Sequence, residues 1–212
     1  MPTDRTAYAP GADAAPETRV PTEVQRRPLT RDEARVVVAE IRDSPKITGY
    51  SPAEWTGGRD TFALVHGDTG ELVGALLVHH LLGDWCEVAV MYILKEHQGQ
   101  GHGRRLMRAA LDALATSGKR QLMFFTPGPI AVLARDYGFR VYEDEAAYCA
   151  QGPSRWFFLK VVYKLQWRWS LYRLREIRRK RRVLDCDFTF QLGVLEPETA
   201  RRKAEEFRNV TT

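Results

Sequence analysis

The segment Gln98-Gly99-Gln100-Gly101-His102-Gly103-Arg104 carries the sharpest chemical signal in the chain. Glycines lack Cβ, so this backbone can turn sharply and bring several N–H groups against a phosphate, and a helix starting here adds about half a positive charge. A pyrophosphate fits that description; the other reading is a strand-to-helix turn that happens to be rich in glycine. A dinucleotide fingerprint needs a third glycine where Arg104 stands, and a P-loop needs a Gly-Lys-Ser/Thr step, and neither is present. Upstream, Glu87 stands in the otherwise apolar run Trp85 to Leu94. On a strand it shares a face with Trp85, Ala89 and Met91, where partial desolvation raises a carboxyl above about 4.3, toward the range of a general base. At a frayed strand start it would instead point to water.

Elements that position these residues can be read from periodicity. Thr30 and Glu33 form a capping-box pair ahead of Ala34, Val37, Val38 and Ile41, which predicts a first helix ending before Pro45. Thr61 to His66 and Glu71 to His79 read as a hairpin through Gly67-Asp68-Thr69-Gly70, and Trp85 to Leu94 as a strand buried on both faces. After the glycine turn, Met107, Ala110, Leu111 and Leu114 mark an amphipathic helix that Gly118 caps. Gln121 to Thr126 reads as a strand, Ile130 to Tyr137 as a short helix closed by Gly138, and Phe139 to Glu143 and Trp156 to Tyr163 as two more strands. This order of helices and strands makes the fold class α/β (α+β). Residues 1–28, with five prolines and few large apolar side chains, read as a flexible leader.

Composition narrows the function classes. With 212 residues, 44% hydrophobic and 28% charged, the chain suits one ordinary domain with modest extensions. No run reaches the roughly 18 apolar residues of a membrane span, and the N-terminus lacks the apolar core of a secretory signal, so the expectation is a cytoplasmic protein. Cys86, Cys149 and Cys186 form no CxxC pair and the five histidines show no metal spacing, so no metal is expected. Cys86 could accept an acyl group as a nucleophile, but it lies on the strand face opposite Glu87, where a small buried side chain is the commoner use.

Gln98, Gly101 and Gly103 match the Q/R-x-x-G-x-G/A signature, and the chain resembles the GNAT superfamily of acyl-CoA-dependent N-acetyltransferases over about 130 residues, Thr30 to Tyr163. The resemblance implies a mixed, mostly antiparallel sheet of six to seven strands flanked by helices, with acetyl-CoA as cosubstrate, lying between splayed fourth and fifth strands. Met91, Tyr92 and Ile93 would pair with its pantetheine amides, and the backbone of Gln98, Gly99, Gln100, Gly101, His102, Gly103 and Arg104 would hold its pyrophosphate. Glu87, eleven residues before Gln98, matches the general-base glutamate of the histone-acetyltransferase branch. One departure is Ala134, which stands where many members carry the tyrosine that protonates the thiolate; Tyr137 and Tyr142 are near in sequence, but no acid is assigned. The implied activity is direct acetyl transfer to an amine, on a small molecule or a protein, with the acceptor bound by loops such as Arg42 to Gly58 and Tyr148 to Ser154.

Beyond this 29–164 domain, residues 165–212 read as a basic, partly helical extension. Arg155 to Arg182 holds eleven Lys/Arg against one acid, Glu176. Aromatic residues interleave with the cations in 165–182, a mixture that suits nucleic acid or another polyanion as well as a solvated helix end. An acyl-CoA-binding module that works through this basic tail is thus the alternative function. Asp187 to Leu192 reads as a short strand and Pro197 to Phe207 as a last helix.

Overall fold

The computed structural model describes residues 21–57, 60–165, 171–186 and 188–209. In chain order the elements are β1 (Thr22–Arg26), α1 (Arg31–Arg42), α2 (Pro52–Gly57), β2 (Asp60–His66), β3 (Leu72–His80), β4 (Trp85–Ile93), α3 (His102–Ala115), β5 (Arg120–Phe125), α4 (Pro129–Asp136), β6 (Arg140–Tyr142), α5 (Glu145–Cys149), α6 (Pro153–Phe157) with a π-helical continuation over Phe158–Tyr163, α7 (Leu171–Val183), β7 (Gln191–Leu195) and α8 (Pro197–Asn209). They build a seven-stranded sheet in the order β1-β2-β3-β4-β5-β7-β6. Every neighbouring pair is antiparallel except β4 with β5.

Helices cover both faces, as the mixture of alternating and fully apolar strands requires. On one side α3, α4 and α8 bury Leu106, Met107, Ala134, Tyr137 and Ala204 against the sheet. On the other, α1 and α2 bury Val37, Ile41 and Trp55. A third cluster joins Trp85, Leu122, Tyr148, Leu159 and Tyr163 under the segment that leaves the sheet after β6 and returns at β7. The capping box at Thr30 and Glu33 forms, and α1 ends before Pro45.

Three expectations are corrected. Residues 22–26 are not leader: Thr22 to Arg26 pair in register with His66 to Phe62, and the sheet supplies the ordering that this short polar segment lacks by itself. Trp156 to Tyr163 is helical rather than extended. Pro153 opens a helix, and Leu159 and Tyr163, one helical turn apart, are buried while Trp156, Phe157 and Val161 face outward. The sheet position between β5 and β6 belongs instead to β7, so Gln191 to Leu195, beyond the expected boundary at residue 164, complete the sheet. The last helix starts at Pro197 as expected, but the last strand is Gln191–Leu195 rather than 187–192: Phe188 to Phe190 are not extended into the sheet, and residue 187 lies outside the described residues. Among the described residues no helix is long and apolar enough to cross a membrane.

Candidate active site

Strands β4 and β5 pair over only three residues, from Trp85↔Arg120 to Glu87↔Leu122. Beyond that point they part, and a cleft of about 650 Å³ opens between Val88–Met91 on one side and Met123–Pro127 on the other. A bulge accompanies the opening: Leu77 pairs with Val90 and Val78 with Val88, leaving Ala89 as the extra residue. The Tyr50 hydroxyl donates to the Ala89 carbonyl, giving this displaced group a partner. The bulge also reverses the side-chain alternation. Cys86, Val88, Met91 and Ile93 face α3, while Ala89, Val90 and Tyr92 face the opposite side. Met91 therefore does not share the face of Glu87, contrary to an uninterrupted period of two.

At the far end of β4, Lys95–His97 make one 3-10 turn and the glycine segment follows. Gly99 and Gly101 have φ of +81° and +82°, a region that side chains with Cβ rarely occupy, and Gly101 is the N-cap of α3. In the first turn of α3 the Arg104 and Arg105 amides donate to the Gly101 carbonyl, at 3.1 and 3.4 Å, whereas those of His102 and Gly103 have no preceding turn to donate to. Gln98 Nε2 donates to the Ile93 carbonyl at 2.8 Å, tying the turn to the strand end. Gln100 Nε2 reaches the Glu96 carbonyl at 3.4 Å, and His102 Nε2 lies 3.2 Å from Gln100 Oε1. The Arg104 guanidinium points instead to Asp136, at 3.3 Å.

Glu87 sits where the two strands begin to part, 2% exposed, so it does not point to water. The Tyr163 hydroxyl donates to its Oε1 at 2.6 Å, and His79 Nδ1 lies 3.3 Å from its Oε2. Arg173 Nη2 donates to Glu54 Oε1 at 2.6 Å, lies 3.3 Å from His79 Nδ1, and its guanidinium stacks 4.3 Å from the Tyr50 ring centroid. Burial by itself pushes the Glu87 carboxyl up, but the hydrogen bond and charge of His79, the charge of Arg173 and the Tyr163 hydroxyl together hold it below the ordinary carboxylate value. The expected rise is thus overturned: a carboxyl surrounded by donors remains ionised. Burial and the adjacent Glu87 charge push the Tyr163 hydroxyl well above its usual value, so it keeps its proton and stays a donor.

Tyr50, Glu54, His79, Tyr163 and Arg173 were not singled out from sequence. Tyr163 closed a run read as a strand, and Arg173 stood within the basic run. The available signal was the spacing of Arg173, Glu176 and Lys180 at i, i+3 and i+7, one face of α7, and that face is the buried one. Lys180 is fully buried and donates to the carbonyls of Ile41, Ser44 and Ile47 at the end of α1, and Arg179 pairs with Glu176. Of the cations in 165–182, Arg175, Arg178, Arg181 and Arg182 are exposed, and 166–170 lie outside the described residues.

The remaining sequence candidates are placed as follows. Cys86 is buried, and burial pushes its thiol up to about 12, which leaves almost no thiolate for nucleophilic attack. Tyr137 is a core residue whose hydroxyl donates to the Arg104 carbonyl at 2.9 Å, and Ala134 is buried beside it. Tyr142 packs against Tyr148. His80 is bound to Asp60. No group of three or more His, Cys, Asp or Glu among the described residues could hold a metal ion.

A sheet that splays at its one parallel pair, with a glycine turn at one end of the opening and a buried carboxylate at the other, defines an acyl-CoA-dependent transferase. The sequence model of the acetyltransferase (GNAT) family matches residues 25–139, more than half of the chain, and the chain belongs to that family of N-acetyltransferases. Among solved structures, N-acetylglutamate synthase from Neisseria gonorrhoeae, complexed with coenzyme A and N-acetyl-glutamate, is similar at 14% identity and a TM-score of 0.53, over 82% of this chain and 34% of that one. This chain therefore spans about a third of the synthase. Rv2747 from Mycobacterium tuberculosis, in complex with CoA, is similar at 13% identity and a TM-score of 0.55, over 82% of this chain and 98% of that one. At such identities the likeness is one of fold. None of the curated protein sequences matches the chain.

Proposed function

We propose that the protein transfers an acetyl group directly from acetyl-CoA to an amine, with Glu87 as general base. The observation that carries this reading is a buried carboxylate, kept ionised by its neighbours, at the closed end of the cleft between β4 and β5. The residues present fit coenzyme A. Beyond Glu87, the edge of β4 facing the cleft has no partner in β5, which suits an extended chain with amide groups. Residues Met91 to Ile93 would hold that chain, and the backbone from Gln98 to Arg104 would take the pyrophosphate.

Bound acetyl-CoA supplies an activated thioester carbonyl. Glu87 takes the proton that the acceptor must lose before its nitrogen can attack, and the Tyr163 and His79 contacts keep the carboxylate aimed. Main-chain N–H groups at the edge of β4 polarise the carbonyl oxygen. The C–N bond forms as the C–S bond breaks, and the departing sulfur takes its proton from water, since Ala134 offers none. The Cys86 route, with an acyl-cysteine, is disfavoured by that thiol's raised pKa.

Calorimetry of the full chain with acetyl-CoA, followed by thiol release with a panel of amines, tests the reading. Heat of association and amine-dependent thiol release are expected. Absence of any association with a folded sample would refute it, and association without amine-dependent release would leave only a binding module.

A further inference from the structure

The cleft wall away from α3 and α4 is built by two segments, Lys46 to Tyr50 ahead of α2 and the excursion between β6 and β7. Its apolar part comes from Ile47, Leu174, Ile177 and Phe190. Leu174 and Ile177 lie on one flank of α7. Residues four apart on a helix are stacked neighbours, so Arg178 stands one turn beyond Leu174, and Arg181 one turn beyond Ile177. Both are exposed. The loop that carries Lys46 is pinned to the same end of α7, because Lys180 Nζ donates to the Ser44 carbonyl at 2.8 Å and the Ile47 carbonyl at 2.6 Å. Lys46 itself lines the cleft and is exposed, and helix geometry sets Arg178 and Arg181 one turn beyond the cleft-lining Leu174 and Ile177, toward the end of α7 to which the Lys46 loop is pinned.

Among the described residues, the side chains of these three cations make no ion pair. Of the acids nearby, Glu176 is committed to Arg179, and Glu145, which also lines the cleft, to Lys160 and Lys164, while Asp185, four residues after Arg181, is exposed. Against the three cations the loop from residue 43 to 50 offers one acid, Asp43. A rim with uncommitted cations above an apolar wall, and a carboxylate at the bottom, complements a ligand with the opposite sequence of groups.

We infer that the acceptor is an amine on an apolar body whose far end is anionic, a phosphate or a carboxylate. Its ammonium end faces Glu87, its body lies against Ile47, Leu174 and Ile177, and its anion is held by Lys46, Arg178 and Arg181. The inference rests on the transferase reading above and narrows its acceptor. Charge-assisted hydrogen bonds of this kind are worth about tenfold or more in affinity.

Tyramine, tyramine O-phosphate and 4-(2-aminoethyl)benzoate share one amine and one ring and differ at the far end, so they isolate the anion. The measurements are thiol release from acetyl-CoA and calorimetric affinity of each amine for the CoA-loaded protein, in wild type, Lys46→Ala and Arg178→Ala/Arg181→Ala. At least one anionic amine is expected to exceed tyramine by about tenfold or more in kcat/KM and affinity, and whether phosphate or carboxylate leads identifies the anion. That ratio is expected to collapse to within about threefold in the double variant. The three side chains are exposed, so the variants are expected to fold. Equal performance of the anionic and neutral amines, or a preference that survives the substitutions, overturns the inference while leaving acetyl-CoA binding intact. Loss of acetyl-CoA binding itself removes the transferase reading, and this inference with it.

Discussion

Replacing Glu87 by Gln separates chemistry from structure at this site. The substitution keeps the side-chain shape, and its amide oxygen can still accept from the Tyr163 hydroxyl, now 2.6 Å from Glu87 Oε1. Arg173 keeps its bond to Glu54, so no buried guanidinium is stranded. The variant is therefore expected to fold and to bind acetyl-CoA within about twofold of wild type. What it loses is the proton acceptor. An alkyl ammonium with a pKa near 10.4 is neutral in about one molecule in 2,500 at pH 7, a deficit of roughly 4.6 kcal/mol. General bases commonly recover about 10²- to 10⁴-fold, so turnover of Glu87→Gln at pH 7 is expected to fall by about 10²- to 10³-fold. Raising the pH frees the amine without help, and the defect should shrink by about tenfold per unit between pH 7 and 9. Thiol release at saturating acetyl-CoA, measured across that range, reads both effects. Turnover within threefold of wild type at pH 7 would remove Glu87 from the mechanism, and a defect that stays constant with pH would assign it a structural role instead.

Two further outcomes follow from the buried charges. Tyr163→Phe deletes one of the donors that hold the Glu87 carboxyl low, so the acid limb of the kcat/KM profile is expected to move to higher pH; an unmoved limb would show that the hydroxyl does not act on Glu87. Lys180 is brought by burial from 10.5 to about 8. Between those values the unfolded chain binds a proton that the folded chain has released, so this group adds stability as pH rises, by roughly 3 kcal/mol at about 1.36 kcal/mol per unit. Lys180→Met removes that contribution. Urea unfolding of both proteins at pH 7.5 and 10 should show the wild type gaining on the variant, and parallel behaviour would refute the shift.

What could be read from sequence and what could not divides along the range of the forces involved. The glycine turn was legible because Gly99 and Gly101 occupy positive φ, a demand visible in residue type alone. The capping box at Thr30 and Glu33, the hairpin through Gly67–Gly70 and the amphipathic face of α3 are likewise local. Strand β1 was hidden because its one apolar residue, Val24, acquires a partner only when β2 lies alongside. Trp156 to Tyr163 has the composition of a strand, but Pro153 starts a helix there and β7, some thirty residues later, fills the sheet position. The burial of Arg173 and Lys180 was hidden in the same way. Their partners are Glu54 and the carbonyls of Ile41, Ser44 and Ile47, more than a hundred residues away, and nothing within the basic run names them.

The two halves of the site therefore come from different parts of the chain. Residues 25–139, the extent of the family match, contain the glycine turn, the splayed strands, Glu87 and His79. The donor to Glu87 and the guanidinium behind it, Tyr163 and Arg173, come from the excursion that follows β6. That excursion cannot be a loose appendage, because its return strand, β7, lies between β5 and β6 and pairs with both. Its helices are fixed at one end by Tyr142 and at the other by Gln191, and Arg173 and Lys180 bolt α7 to α1 and α2 from within. The same excursion thus adds Arg173 and Tyr163 to His79 of β3 in keeping the carboxylate ionised, and supplies part of the cleft wall. A change at Arg173 is consequently coupled to the ionisation of Glu87, whereas a change at Arg178 or Arg181, on the exposed side of the helix, is not.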